Sequence, residues 1–129
     1  KNIYVKTENK EIPKIIFADK FLLERAIMNI INNAIDHSPL SSNLYIFSSG
    51  YTDTFEIKII DEGNGFLKED FIHAKEEFYM ADKSRNSKNH FGLGLYITEC
   101  IINEHKGKLE LKNSITTGGA EVIIKLPIL

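Results

Sequence analysis

The alternation of apolar and polar residues predicts three helices, of which the segment 19–39 is the longest. Apolar residues recur there at three- and four-residue spacing, which is typical of a helix with one face packed on a core. Asp19 is placed to cap its N-terminus, and Ser38-Pro39 predicts its end. The apolar positions of this face are Leu22, Leu23, Ala26, Ile27, Ile30, Ile31, Ala34 and Ile35.

The two other predicted helices are separated by a long polar segment. The first is short and covers 68–78; the second begins at 91–95 and ends near 105–107, with Gly107 as its C-cap residue. Between them, 79–90 has no period and almost no apolar residue, so we predict a mobile surface loop. The apolar positions of the two helices are Phe71, Ile72, Phe78, Leu95, Ile97, Ile101 and Ile102.

Short apolar segments before, between and after the helices predict β-strands. These strands are 3–5, 14–17, 44–48, 54–60, 109–111 and 122–126. The polar segment 7–11 is predicted as a turn, and further turns are predicted near 50–53 and 116–119. This order of elements predicts a two-layer α/β sandwich, in which helices cover one face of a mixed sheet. Neither a repeat nor a second domain is visible, so residues 1–129 are predicted to form one domain.

The composition is that of an ordinary soluble domain. The chain has 129 residues, 43% of them apolar and 26% charged, and its net charge of -2 provides no basic field for nucleic acid. No apolar run is long enough to span a bilayer, and the N-terminus lacks a signal pattern. The single cysteine, Cys100, is predicted to be a small core residue in a reducing compartment. Because the chain begins with Lys1, we expect a piece of a longer protein, which can itself be membrane-bound.

Two asparagines in the longest helix suggest a binding site. Asn29 and Asn33 are four residues apart, so they lie one turn above the other, and Asp36 or His37 continues the same stripe. A carboxamide oxygen can coordinate Mg²⁺ without adding a charge that repels a triphosphate. The alternative is that both are merely solvated polar positions, and their spacing alone favours that alternative.

A second motif, Asp61-x-Gly63-x-Gly65, follows a predicted strand. The glycines allow the backbone to turn sharply and approach a flat ligand, and the carboxylate can accept a hydrogen bond from an exocyclic amine such as that of adenine. An ordinary Asx-type turn is an equally good interpretation of this motif alone.

A third motif, Gly92-x-Gly94, stands where the polar loop meets the last helix. Free backbone N–H groups at a helix N-terminus attract phosphate oxygens. The basic residues upstream, Lys83, Arg85 and Lys88, favour a loop that closes over a triphosphate, whereas simple helix entry after a solvated loop is the alternative.

The chain carries, in this order, the motif N-I-I-N-N-A-I-D-H-S, the motif D-E-G-N-G, the polar loop, the motif F-G-L-G-L and a late Gly-Gly pair. Together they resemble a known family. The chain looks like the catalytic ATP-binding domain of sensor histidine kinases, in the gyrase, chaperone, histidine kinase and mismatch-repair superfamily. The resemblance covers about 14–127 and implies the Bergerat-type ATP-binding fold. Each motif is weak alone, but their order is specific.

The resemblance implies a role for most of these residues. Asn33 would bind Mg²⁺, Asn29 would contact phosphate or metal-bound water, and both are the predicted catalytic residues. Asp61 would read the adenine amino group, Gly119 would form the last glycine box, and 79–90 would be the ATP lid. The predicted nucleotide-binding residues are Asn29, Asn33, Asp36, His37, Asp61, Gly63, Gly65, Phe66, Arg85, Phe91, Gly92, Leu93, Gly94 and Leu95.

Three positions depart from the pattern that the resemblance implies. Asp36 stands where family members often have lysine, so Lys83 or Lys88 would have to supply that phosphate contact. Lys75 replaces one of two expected phenylalanines, and His90 replaces a glycine. None of these changes removes an adenine or magnesium contact.

The function implied by the resemblance is binding of Mg-ATP and presentation of its γ-phosphate to a histidine on a separate phosphoacceptor hairpin domain. A response regulator would be an indirect partner. We expect this piece to be cytoplasmic, monomeric in isolation and free of membrane or nucleic-acid contact. Superfamily members that hydrolyse ATP or phosphorylate serine resemble each other in having a glutamate at the place of Asn29, where it would act as a general base. Because Asn29 has no carboxylate, it favours a histidine acceptor. The alternatives are a non-catalytic regulatory nucleotide-binding module and an ATPase or anti-sigma serine kinase relative.

Overall fold

One mixed five-stranded sheet forms the centre of the molecule. The computed structural model describes residues 2–10, 16, 18–73 and 92–128, without the side chains of residues 69, 72, 73 and 92–94. The strands are β1 (Tyr4–Lys10), β2 (Asn43–Gly50), β3 (Thr54–Ile60), β4 (Lys108–Asn113) and β5 (Ala120–Pro127). They lie in the order β1-β2-β3-β5-β4, with β1 parallel to β2 and the other pairs antiparallel.

The helices are α1 (Lys20–His37), α2 (Lys68–His73) and α3 (Gly92–Glu104). α1 and α3 pack against each other and against one face of the sheet. Alternate residues of the central strands point to that face, so Ile57 and Ile59 of β3 pair with Ile124 and Val122 of β5 in the core. The predicted α/β sandwich with helices on one face is therefore confirmed.

The ends of α1 and α3 are fixed by specific hydrogen bonds. Asp19 caps α1 as predicted, because its Oδ1 accepts the Leu22 N–H at 3.0 Å. The Asp19 N–H donates to Nε2 of His105 at 2.9 Å, which joins the start of α1 to the end of α3. The left-handed residue that ends α3 is Lys106 (φ 60) and not Gly107, whose N–H bonds to the Ile102 carbonyl as in a Schellman motif.

Three predictions from the sequence pattern are wrong. Residues 7–10 are not a turn but continue β1, since parallel pairing with β2 satisfies their backbone whatever their side chains. Cys100 is exposed, because the buried positions Leu95, Thr98 and Ile102 place it on the outer side of α3. Leu22, predicted to face the core, is also exposed.

Other predictions concern residues that the structure does not describe. The predicted strand 14–17 lies outside the described residues except for Ile16, as do the part of the predicted helix after His73 and the whole loop 79–90. In the described part of the chain, no helix has both the length and the apolar character needed to cross a membrane.

Candidate functional site

Asp61 is the central residue of the candidate site. It follows β3 directly and is only 3% exposed. Its Oδ1 accepts two backbone hydrogen bonds, from the Gly63 N–H at 2.9 Å and from the Ala120 N–H at 3.0 Å. Among the described residues nothing donates to Oδ2. The described residues therefore fix one carboxylate oxygen and not the other.

The environment of Asp61 changes its acidity. Burial raises the pKa of the carboxyl above its ordinary value of 3.8, because a buried charge loses its hydration. The hydrogen bonds from Gly63 and Ala120 and the nearby charge of His37 lower the pKa and partly offset that effect. The carboxylate is thus held in a dry site by donors aimed at a single oxygen.

The turn between β4 and β5 holds the back of Asp61. The Asp61 N–H donates to the Ala120 carbonyl at 3.0 Å, which pairs the two residues in both directions. The Thr117 hydroxyl donates to the Asp61 carbonyl at 2.7 Å. Gly119 lies so close to Asp61 that a Cβ there would overlap both the carbonyl oxygen and Oδ1 of Asp61. The approach of these two segments therefore requires glycine.

We expect Gly119→Ala to lower the free energy of unfolding by about 2 kcal/mol, because the added methyl forces backbone apart in a close-packed region. The same displacement would carry the Ala120 N–H away from Asp61. Urea denaturation followed by circular dichroism measures the loss. Gly118→Ala is a poor control, since Gly118 has φ +78, so Thr116→Ala in the same turn serves instead. Equal stability of Gly119→Ala and wild type would contradict the prediction.

The loop after Asp61 is clamped by β4. The Asn113 side chain accepts the Phe66 N–H at 2.7 Å and donates to the Phe66 carbonyl at 3.1 Å. Gly65 adopts φ +79, a conformation that favours glycine, and thereby delivers Phe66 into the core. The Phe66 ring is 5% exposed and packs on Phe71 with ring centroids 5.5 Å apart.

The two asparagines of α1 lie in different surroundings. Asn33 faces the same crevice as Asp61, and within the described part of the chain its buried Nδ2 has no hydrogen-bond partner. Asn29 instead donates from Nδ2 to Thr98 Oγ1 at 3.4 Å, between α1 and α3. Asp36 is exposed, and His37 is half-buried near Asp61. The helix thus brings Asn33 and His37 to Asp61 and leaves Asp36 in solvent.

A narrow crevice connects these groups. Asp61 and Asn33 supply its polar groups, and its apolar walls include Phe66, Leu95 and Ile30. Its cavity volume is only about 10 Å³. Within the described part of the chain, this crevice is therefore too small to enclose a ligand.

A larger cavity of about 640 Å³ lies on the opposite face of the sheet. Its walls include Lys58 and Glu121, which alternate with the core-facing residues of β3 and β5. Those charges are paired, Lys58 with Glu56 at 3.8 Å and Lys112 with Glu121 at 3.7 Å. We place the site at the crevice, because there a buried carboxylate and a buried amide have polar atoms that no described residue contacts by a hydrogen bond.

A magnesium ion of the kind that accompanies a nucleotide would need oxygen ligands at this crevice. Among the residues described, no group of three or more His, Cys, Asp and Glu side chains is clustered for metal binding. Asn33 offers a neutral carboxamide oxygen, and its buried Nδ2 has no hydrogen-bond partner among the described residues. Asn33 is therefore the residue that would hold such an ion.

The remaining predicted site residues lie partly around the crevice, partly at the start of α3 and partly outside the described residues. Gly63 and Gly65 lie in the loop around Asp61, and Leu95 is buried in the crevice wall. The backbone of Gly92, Leu93 and Gly94 forms the start of α3, as predicted. Arg85 and Phe91 lie outside the described residues, as do Lys75, Phe78, Lys83, Lys88 and His90.

Polar residues on other elements also support the site, and the sequence did not predict this role for them. These are Thr98, Asn113 and Thr117. Asn and Thr are ordinary residues of turns and strand ends. Because their partners lie far away in sequence, no local signal distinguishes them.

Comparison with known proteins places the chain among nucleotide-binding domains. A family model described as Histidine kinase-, DNA gyrase B-, and HSP90-like ATPase matches residues 18–129. Sensor histidine kinase SpaK of Bacillus subtilis is 39% identical over 128 residues, which cover 99% of this chain and 28% of SpaK. Sensor protein SphS of Synechococcus elongatus is 34% identical over 116 residues, covering 84% of this chain and 28% of SphS. The chain thus spans little more than a quarter of these relatives.

Solved structures support the same fold. The mycobacterial sensor histidine kinase MprB superimposes on this chain with a TM-score of 0.82. The superposition covers 98% of this chain and 82% of the MprB chain. Its sequence is 24% identical to this chain. The similarity shows that the two chains share a fold.

Proposed function

Because the chain belongs to the histidine kinase-, DNA gyrase B- and HSP90-like ATPase family, we propose that it binds Mg-ATP and presents the γ-phosphate to a histidine on a separate phosphoacceptor domain. The observation that carries the proposal is the Asp61 carboxylate beside the crevice. Its Oδ1 accepts two N–H groups, and its Oδ2 receives no hydrogen bond from a described residue. Such an oxygen suits the exocyclic amine of adenine. The relatives named as sensor histidine kinases supply the class of reaction.

Each element around the crevice has a part in this proposal. Asp61 accepts a hydrogen bond from the adenine amino group, and Phe66 and Leu95 exclude water from that contact. Asn33 holds Mg²⁺, which neutralises phosphate charge when bound. The N-terminus of α3 presents backbone N–H groups to the phosphates. Phosphoryl transfer of this kind depends mainly on positioning and charge neutralisation.

The neutral side chain at residue 29 favours a histidine acceptor. Asn29 donates to Thr98 and carries no carboxylate that would remove a proton from water or a serine hydroxyl. A histidine acceptor has its own lone pair and needs no strong base. In the proposed reaction, the acceptor histidine lies on a helical hairpin of the parent chain. A response regulator then receives the phosphate from that histidine.

Calorimetric titration with ATP, with and without Mg²⁺, tests the binding half of the proposal. We expect binding that strengthens with magnesium, since Asn33 and the phosphates would share the ion. Mixing the chain with the acceptor hairpin of its parent and γ-labelled ATP tests transfer, and we expect label on the hairpin only. Absence of ATP binding both with and without Mg²⁺ would contradict the proposal. Persistent label on the isolated chain would contradict transfer to a separate domain.

A further inference from the structure

The Thr117 side chain joins the β4–β5 turn to Asp61 through two hydrogen bonds. Its hydroxyl donates to the Asp61 carbonyl oxygen at 2.7 Å and accepts the Gly119 N–H at 3.0 Å. The Thr117 N–H itself donates to Ser114 Oγ at 3.2 Å, within the same turn. A single hydroxyl therefore uses both its donor and its acceptor capacity to hold two backbone segments together.

This link lies next to the contact that orients the Asp61 carboxylate. Gly119 is followed by Ala120, whose N–H donates to Asp61 Oδ1 at 3.0 Å. The contact between Gly119 and Asp61 leaves no space for even one added carbon. A small shift of the turn would therefore move the Ala120 N–H and rotate the carboxylate. Among the described residues, the Gly63 N–H is the other donor that holds the Asp61 side chain.

We propose that Thr117 is a positioning residue that sets nucleobase selectivity by holding the turn, and thereby the free oxygen of Asp61, in the orientation that accepts an exocyclic amine. Thr117 acts through Asp61 and needs no contact with the base. The inference rests on the proposed function, because it assumes that Asp61 reads adenine. The preference for adenine then depends on Thr117, a residue outside the predicted nucleotide-binding motifs.

Valine has the shape of threonine without its hydroxyl, so Thr117→Val removes both hydrogen bonds with little change in volume. ITP tests selectivity, since hypoxanthine carries a carbonyl where adenine carries the amino group. We expect wild type to prefer Mg-ATP over Mg-ITP and Thr117→Val to lower that preference by about tenfold, mostly by weaker ATP binding. Thr117→Ser keeps the hydroxyl and is expected to keep the preference. Calorimetry on the 129-residue chain measures both affinities.

Thr116→Val is the matched control. Thr116 is the neighbour in the same turn, is exposed, and makes no side-chain hydrogen bond to any described residue. This variant should retain the wild-type ratio of ATP to ITP affinities. Circular dichroism confirms that each variant is folded, and Thr117→Ala replaces the valine variant if the latter does not fold.

The outcomes separate this inference from the proposed function. If wild type prefers ATP and the folded Thr117→Val keeps the full preference, the positioning role is wrong and the ATP-binding function stands. Loss of the preference in folded Thr117→Ser would equally overturn it. If wild type binds no ATP, the proposed function and this inference both fail. The positioning role is supported if Thr117→Val lowers the preference for ATP over ITP, while Thr117→Ser and Thr116→Val keep the wild-type preference.

Discussion

Replacing Asp61 with asparagine should lower the affinity for Mg-ATP by about 100-fold, the scale of a lost hydrogen bond to a charged group. Asparagine can still accept the Gly63 and Ala120 N–H groups through its oxygen. Its NH₂ group then stands where Oδ2 was and faces the adenine amine donor to donor. The expected loss is therefore a loss of nucleotide recognition, and the surrounding loop keeps its hydrogen bonds. Calorimetry with Mg-ATP measures it.

The same substitution should not destabilise the fold at neutral pH. Burial raises the pKa of Asp61 in the folded state, so the folded protein holds this proton more tightly than the unfolded chain. The stability that this gives is present in full below the ordinary value of 3.8 and is lost as pH rises through the raised folded pKa. Asparagine does not titrate. The free energy of unfolding of the variant relative to wild type should therefore increase across that interval and stay constant above it.

Asp53→Asn is the control for both measurements. Asp53 is exposed in the turn between β2 and β3 and accepts a hydrogen bond from its neighbour Thr54 at 3.0 Å. The Asp53→Asn substitution removes the same charge as Asp61→Asn and lies away from the crevice. Unchanged ATP affinity in Asp61→Asn would contradict the assignment of Asp61. A variant that becomes less stable relative to wild type as pH rises would contradict the effect of burial on its pKa.

Local patterns predicted the elements of this fold where one periodicity was strong. The apolar period and the Asp19 cap of α1, and the alternation of β3, specify their own structure. β1 was only partly predicted, because its polar second half is ordered by pairing with β2 and not by its own side chains. Its seven residues are all exposed, so no buried face leaves a pattern in the sequence.

The candidate site shows the same division between local and distant determinants. Asp61, Gly63 and Gly65 were recognisable because they form one motif at a strand end, and Asn33 because it shares a helix stripe with Asn29. The residues that position them come from far along the chain. Thr117 is 56 residues from Asp61, and Asn113 is 47 residues from Phe66. Such contacts exist only once β5 lies beside β3, so a linear pattern does not contain them.

This arrangement explains why a weak motif can become a specific site. An Asx-type turn after a strand needs only Asp61 and the following glycines. Here the β4–β5 turn adds the Ala120 N–H and the Thr117 hydroxyl, and α1 adds Asn33 from the other side. Two elements that are distant in sequence thus bring a buried carboxylate into one crevice with an amide whose Nδ2 has no partner among the described residues.

Asn33→Ala should weaken Mg-ATP binding by about 100-fold and change ATP binding in EDTA by less than about threefold, because it removes an ion ligand and no base contact. The buried Nδ2 of Asn33 has no partner among the described residues, so alanine leaves no protein group unpaired there. The free energy of unfolding should therefore stay within about 1 kcal/mol of wild type. Paired calorimetric titrations, with magnesium and with EDTA, separate the two effects.

Asn32→Ala is the matched control for this prediction, since Asn32 is the preceding residue of α1 and is exposed. It should bind Mg-ATP like wild type. If Asn33→Ala lost affinity equally with magnesium and with EDTA, Asn33 would serve the nucleotide and not the ion. If it kept full magnesium dependence, the metal would be held elsewhere, and the buried unpaired amide would need another explanation. A selective loss of the magnesium effect would support Asn33 of α1 as the ligand of the ion, in the crevice that it shares with Asp61.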